Sequence, residues 1–136
     1  MSYIIKEVTN VLEKYAKPVL RIGMSLIFLY FGYQQLTNNA SWQGFVPDFA
    51  LILGLTAEKI VMFNSIFELS FGLLLLFGIY TRIVALLLSI HLFIISFSLG
   101  FSDLGIRDFG LAIATFVVFM NGKDGFTLYN KWKKQK

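Results

Sequence analysis

The chain has 136 residues, one domain's worth, with a formal charge of +4, 57% hydrophobic residues and 15% charged ones; soluble domains run nearer ~45–50% and ~25%. At a mean hydropathy of +0.70, a domain this small has too little interior to hide its apolar surface from water, so lipid is the solvent that fits. No cysteine is present, which excludes disulfides, thiolate metal sites and cysteine nucleophiles.

In chain order, residues 1–17 come first. Ile4, Ile5, Val8, Val11, Leu12 and Tyr15 recur at helical spacing, with Lys6, Glu7, Glu13, Lys14 and Lys17 mostly on the other side. That pattern predicts an amphipathic helix on the membrane surface, and the spread of charge argues against a signal peptide. Four apolar spans follow, Pro18–Leu36, Lys59–Ile79, Arg82–Gly100 and Arg107–Asn121. About 20 residues cross the ~30 Å hydrocarbon layer, so the first three fit and the fourth is short unless it extends toward Phe126.

The expected fold is therefore all-α: a four-transmembrane-helix bundle over residues 18–122, preceded by the interfacial helix and followed by a basic cytoplasmic tail, 123–136. The loop Asn38–Thr56 contains Trp42, Phe45, Pro47 and an apolar run too short to cross. It is expected to dip into the interface or pack across the bundle mouth, with Thr56 capping the second span. Gly78-Ile79-Tyr80-Thr81 joins the second and third spans tightly.

Basic residues set the orientation. Ten of the twelve fall on one side, Lys6, Lys14, Lys17, Arg21, Arg82, Lys123, Lys131, Lys133, Lys134 and Lys136, against Lys59 and Arg107 on the other. Cytoplasmic loops are the Lys/Arg-rich ones, so both termini are expected inside. The tail "LYNKWKKQK" joins aromatic anchors to a basic cluster suited to anionic lipid headgroups, and nucleic acid is not an expected partner. Arg21 and Arg82 sit where inner-side arginines snorkel.

Two ionisable residues stand out in "FELSFGLLLLFGIYTRIVALLLSIHLF", residues 67–93: Glu68 and His91, the chain's single histidine. They lie equally far on either side of the turn, each about 17 Å from it at ~1.5 Å per residue, which puts both near mid-membrane. An ionised carboxylate there costs about 2.5–3.5 kcal/mol, so Glu68 is expected to be protonated or paired with a cation. Intramembrane ionisable groups are functional candidates. The competing reading is a hydrogen bond that fixes helix packing, with Ser89 or His91.

Asn64, Glu68 and Gly72 share one face of the second span, which should point into the bundle. Further polar groups gather toward the outer mouth. Tyr30, Tyr33, Gln34 and Gln35 end the first span, and Arg107 and Asp108 open the fourth, where Asp108 also suits a helix N-terminus. Arg21, Ser25, Gly32 and Gln35 fall on one stripe of the first span. The expectation is a polar cavity opening outward and lined by these residues, with Glu68 and His91 at its floor. The competing reading of Arg107-Asp108 is a cap plus interfacial anchor. No phosphate loop, nucleophile elbow or zinc-spaced cluster is found, so no metal is expected.

The segments "LRIGMSLIFLYFGYQQL", "FELSFGLLLLFGIYTRIVALLLSIHLF" and "IRDFGLAIATFVVFMNGKDGFTLY" resemble the DoxX family of small four-helix membrane proteins, over about residues 18–130. Arg21, Glu68, Gly72, Arg82, His91, Arg107 and Asp108 fall on the family's recurring positions, while Gln35 replaces a lysine common in relatives. The resemblance implies a prokaryotic plasma membrane and a link to redox chemistry, since the related DoxD-type proteins are tied to thiosulfate:quinone oxidoreduction. It supplies no mechanism.

The leading expectation is a redox-associated subunit that binds a quinone or similar amphipathic molecule. Glu68 and His91 are its candidate catalytic residues: Glu68 exchanges the proton and His91 hydrogen-bonds a carbonyl oxygen. Tyr30, Tyr33, Gln35, Asn64, Arg107 and Asp108 are the candidate ligand-binding residues. The chain shows no electron carrier of its own, so a redox partner subunit or a bound cofactor would have to supply one. The alternative is a non-catalytic assembly or binding factor that holds a partner protein or lipid, with Glu68, His91 and Asn64 as a polar latch. Proton-coupled transport ranks last for four short helices. Gly72, Ala85, Ser89, Gly110 and Ala114 can seat helices within one bundle or between the copies of a homo-oligomer.

Overall fold

The computed structural model describes residues 1–128, all-helical and without strands among them; the "LYNKWKKQK" tail lies outside them from residue 129 on. Helix α1 spans Ser2–Thr37, α2 Asn39–Trp42, α3 Asp48–Leu51, α4 Ala57–Phe77, α5 Thr81–Leu99 and α6 Asp103–Asn121, with a 3-10 turn at Gln43–Phe45.

The expected interfacial helix and the expected first span form one element. α1 has 36 residues and runs through Pro18, about 54 Å at the usual rise, so the boundary expected at residue 17 is no helix break. Pro18 lacks the N–H that would bond the Lys14 carbonyl, yet the helix continues through it, since neighbours such as Ala16, Lys17, Leu20 and Arg21 favour helix. The fourth span begins four residues earlier than expected, at Asp103. Ser102 is its cap, accepting from the Gly105 N–H at 3.0 Å, and Asp103 suits the first turn. Arg107 and Asp108 consequently sit a full turn inside α6 rather than at its start. Thr56 caps α4 as expected, accepting from Lys59 N–H at 3.3 Å.

α1 packs most extensively on α4, and α5 on α6; the two pairs meet more sparsely along α1/α6 and α4/α5. In the first pair, a side chain on Gly32 would come within 2.8 Å of Leu69 Cγ, and one on Gly72 within 3.3 Å of Phe28. Ser65 donates to the Gly32 carbonyl at 2.7 Å. In the second pair, Ser89 donates to the Ala112 carbonyl at 3.2 Å and Ser96 to the Gly105 carbonyl at 2.8 Å. Small residues and serine hydroxyls holding backbones together are the devices of helix packing in lipid. The α4–α5 turn is tight because Gly78 takes φ +71° and Tyr80 φ +49°, the left-handed region.

Polarity is distributed inside out. Arg21, Ser25, Gln35, Ser65, Glu68, Ser89, Asp108 and Thr115 are buried, while Phe63, Ile66, Leu73, Ile83, Ile90 and Phe97 are exposed. α4 and α5 are each long and apolar enough to cross a membrane.

Candidate functional site

The two polar ends of the bundle are built differently. At the end near the α4–α5 turn, Arg21 is 1% exposed. Its Nε donates to Asp124 Oδ2 at 2.8 Å, and its Nη1 donates to the carbonyls of Leu75, at 2.9 Å, and Leu76. Those carbonyls belong to the last turn of α4, where a cation is favoured. Asp124 Oδ1 in turn accepts from the Phe126 N–H at 2.9 Å. Arg21 is therefore not a snorkelling side chain, whereas Arg82 is exposed and lies against Gly122. Asp124 drew no attention as a site residue from the sequence. Its signal was the acid two residues past a glycine that ends an apolar span.

At the other end lies a cavity of about 390 Å³, within the range of small-molecule sites. Its floor is a cluster from three helices. Gln35 Nε2 of α1 donates to Glu68 Oε2 at 3.0 Å, and Asn64 Nδ2 of α4 donates to Gln35 Oε1 at 2.9 Å. His91 Nε2 of α5 lies 3.4 Å from Glu68 Oε1, and Asn64 Nδ2 lies 3.5 Å from the same oxygen. The equal spacing of Glu68 and His91 from the turn thus does bring them to one level, and helix rotation turns them toward each other. Glu68 is 4% exposed, and the His91 ring packs on Phe67 at 4.8 Å.

A second polar station comes from α6. Arg107 Nε and Nη2 both donate to Asp108 Oδ1, at 3.0 and 2.9 Å, and the guanidinium lies 4.9 Å from the Phe31 ring centre. That stacking ties α6 to α1 across the cavity. The α5–α6 register, in which Ser89 meets Ala112 and Ser96 meets Gly105, puts Asp108 only about 3 Å in depth from His91. Between the stations the walls are apolar: Ile27, Phe28, Val61, Leu92, Ile95 and Leu111. The loop adds Trp42, Phe45, Pro47 and Phe49 to the lining, as expected of a loop that packs across the bundle mouth.

Of the residues singled out from sequence, Gln35, Asn64, Glu68, His91, Arg107 and Asp108 all line this one cavity. Tyr30 and Tyr33 do not; they are 60% and 59% exposed on the outer face of α1. Arg21, Ser25 and Gly32 share a stripe with Gln35 but lie outside the cavity: Arg21 and Ser25 are deeper, and Gly32 is packed against Leu69 of α4. The stripe is right for the bundle-facing side of α1, and of its four residues only Gln35 reaches the open space. The walls supplied by Phe28, Leu92 and Leu111 were not legible as site residues, since they carry only the ordinary signal of core positions. Among the described residues no three acidic or histidine side chains converge as a metal site requires.

The DoxX family model matches residues 16–100, from just before Pro18 to the end of α5. The chain belongs to the DoxX family. The match includes Arg21 and the whole floor cluster of Gln35, Asn64, Glu68 and His91. Arg107, Asp108 and Asp124 lie beyond it, so their places rest on this chain's own geometry. No curated protein and no solved structure matches the chain. As a DoxX-family chain with α4 and α5 fit to cross a bilayer, this is a membrane protein.

Proposed function

We propose that this DoxX-family protein crosses the membrane four times, through α1, α4, α5 and α6 with both termini cytoplasmic, and binds a quinone or similar amphipathic molecule in its cavity. The observation that carries the reading is the Glu68–His91–Gln35–Asn64 cluster at the floor of an otherwise apolar space of about 390 Å³. A buried polar cluster that serves packing alone needs no cavity beside it; here two stations face one.

The donor set fits such a ligand. His91 offers a ring N–H to a carbonyl or hydroxyl oxygen, Asn64 holds Gln35 and Glu68 in place, and Glu68 is placed to accept or donate a proton there. Phe28, Phe31 and Leu92 supply the flat and branched apolar surfaces a ring and an aliphatic chain pack on. Trp42 and Phe45, tilted against each other at 6.1 Å, shield the head from water. A quinone brings two-electron, two-proton chemistry when bound; the chain's share is to hold the ring and move a proton at Glu68. A partner subunit would exchange the electrons, which makes this a subunit of a redox assembly.

Extraction in mild detergent, lipid mass spectrometry of the purified protein and titration with a short-chain quinone test the proposal. A co-purifying quinone is expected, with affinity reduced about tenfold or more by Glu68→Gln, equivalent to about 1.4 kcal/mol. No bound quinone and equal affinity in the variant would remove it. A stoichiometric protein partner without any redox-active ligand would favour an assembly factor instead.

A further inference from the structure

The N-terminal part of α1 is the largest element the bundle leaves unused. Residues 1–17 are exposed throughout. At about 100° per residue, Ile4, Val8, Val11, Leu12 and Tyr15 fall within an arc of about 100°. Past Pro18, the exposed Val19, Ile22 and Leu26 fall within that same arc. The opposite side of the helix carries the buried Arg21, Met24 and Phe28 beyond Pro18, and Lys6, Lys14 and Lys17 before it. One apolar stripe therefore keeps to the lipid-facing side along the whole helix, while the bundle-facing side changes from buried to charged at Pro18.

That stripe is longer than a bilayer needs. A 36-residue helix is about 54 Å long against a hydrocarbon layer of ~30 Å. Continued straight, its first four turns would hold an apolar face in water. Pro18 sets another course. It is buried on the bundle side, and its ring opposes the Lys14 carbonyl on that same side. A proline ring inside a helix clashes with the carbonyl four residues back, and a bend at such a site leans away from the ring. A bend here would carry residues 2–14 away from the bundle and over the lipid, with the acyl-facing side of α1 turned down onto the membrane. Tyr15, one turn before Pro18, is stacked on Phe126 at 5.7 Å.

We propose that residues 2–14 leave the bundle outward at Pro18 and lie in the headgroup–acyl boundary of the leaflet at the Arg21–Asp124 end, apolar stripe down. The occupant of this face is a lipid surface, held by apolar insertion rather than by charge. Lys6, Lys14 and Lys17 against Glu7 and Glu13 leave a net of only +1, whereas electrostatic membrane recruiters carry four to eight basic residues. The proposal rests on α1 crossing the bilayer.

The chain has no cysteine, so single reporters are introduced without background. Val11→Cys, on the stripe, and Asn10→Cys, off it, are labelled with a fluorophore in the full chain reconstituted into phosphatidylcholine vesicles, with or without brominated acyl chains. Several-fold stronger bromolipid quenching at position 11 than at position 10 is expected, unchanged between about 0.05 and about 0.5 M salt, a range over which the Debye length shrinks about threefold. Iodide should quench position 10 in preference. Equal iodide quenching at both positions, meaning a helix standing in water, overturns the proposal. So does loss of lipid quenching at high salt. Dipolar broadening between spin labels at position 11 also overturns it, because a second copy would then cover the stripe. Leu26→Cys is the control for the spanning reading: if α1 does not cross, its lipid quenching fails too, whereas failure of this proposal alone shows only at position 11. Pro18→Ala should at least halve the lipid quenching at position 11; unchanged quenching would remove the hinge from the account.

Discussion

The bundle has two buried polar ends, and they differ in what is left over. Around Arg21 the guanidinium is engaged on all three nitrogens: Nε and Nη2 donate to Asp124 and Nη1 to α4 carbonyls, and Asp124 itself accepts from the backbone of Phe126. The cavity at the other end does not reach it. Around Glu68 the contacts are longer, 3.0 to 3.5 Å, and the same side chains border open space. Burying charge is tolerated at one end because it is paired, which is a structural solution. At the other end amide and imidazole groups surround a carboxyl beside a cavity, which leaves capacity for a ligand. Both are buried polar clusters, and only the second borders the cavity.

The largest expected effect lies at the closed end. Arg21→Met breaks the buried Arg21–Asp124 ion pair, and removing one partner of a buried pair costs about 3–5 kcal/mol. Thermal unfolding of the purified variant in detergent should show a large drop in Tm. Arg21→Met with Asp124→Leu should recover part of that loss, because the second change removes the other charge of the pair. A single variant as stable as the parent would mean that the two ends are not different in kind. At the open end Glu68→Gln should change stability by less than about 1 kcal/mol, since the amide still accepts from Gln35. Its effect should instead appear in ligand affinity.

The same contrast shows what could be read before any coordinates. The helical packing was legible because the last three apolar stretches are joined by short turns that leave few arrangements, and because distance from a turn converts directly to depth for Glu68 and His91. The continuity of α1 was not, since a proline inside an apolar-to-amphipathic transition reads as a boundary, although the helix continues through it. Tyr30 and Tyr33 illustrate a different gap. Their type suggests an entrance, but only helix rotation decides which side they face, and the residues on the bundle side of α1, Gln35 and Phe28, sit two or five positions away. Asp124 escaped notice because its partner is 103 residues away in the chain.

Filling the space sharpens the distinction further. Leu111 lines the cavity and is half-buried, so Leu111→Phe projects extra carbon into open volume rather than into packed core. Stability should hold or rise by up to about 1 kcal/mol, against the 1–3 kcal/mol loss usual for overpacking. Ligand binding should fall several-fold. Calorimetric titration beside a thermal melt separates the two. A destabilised variant would mean the cavity is already closed in solution.

The smallest effect is expected at the tyrosines. Tyr30→Ala removes a ring from the outer face of α1, so stability should stay within about 0.5 kcal/mol and ligand affinity within twofold. The route by which it could do more runs through Phe31, whose ring meets Tyr30 edge-on at 5.4 Å and also carries the Arg107 guanidinium. A change in ligand on-rate without a change in equilibrium affinity would therefore place the entrance at the lipid-facing side of α1, beside Phe31, rather than under the Trp42 loop. Stopped-flow binding of a short-chain quinone to the variant and the parent distinguishes these routes, because the loop route predicts the on-rate to respond to Trp42→Ala and not to Tyr30→Ala.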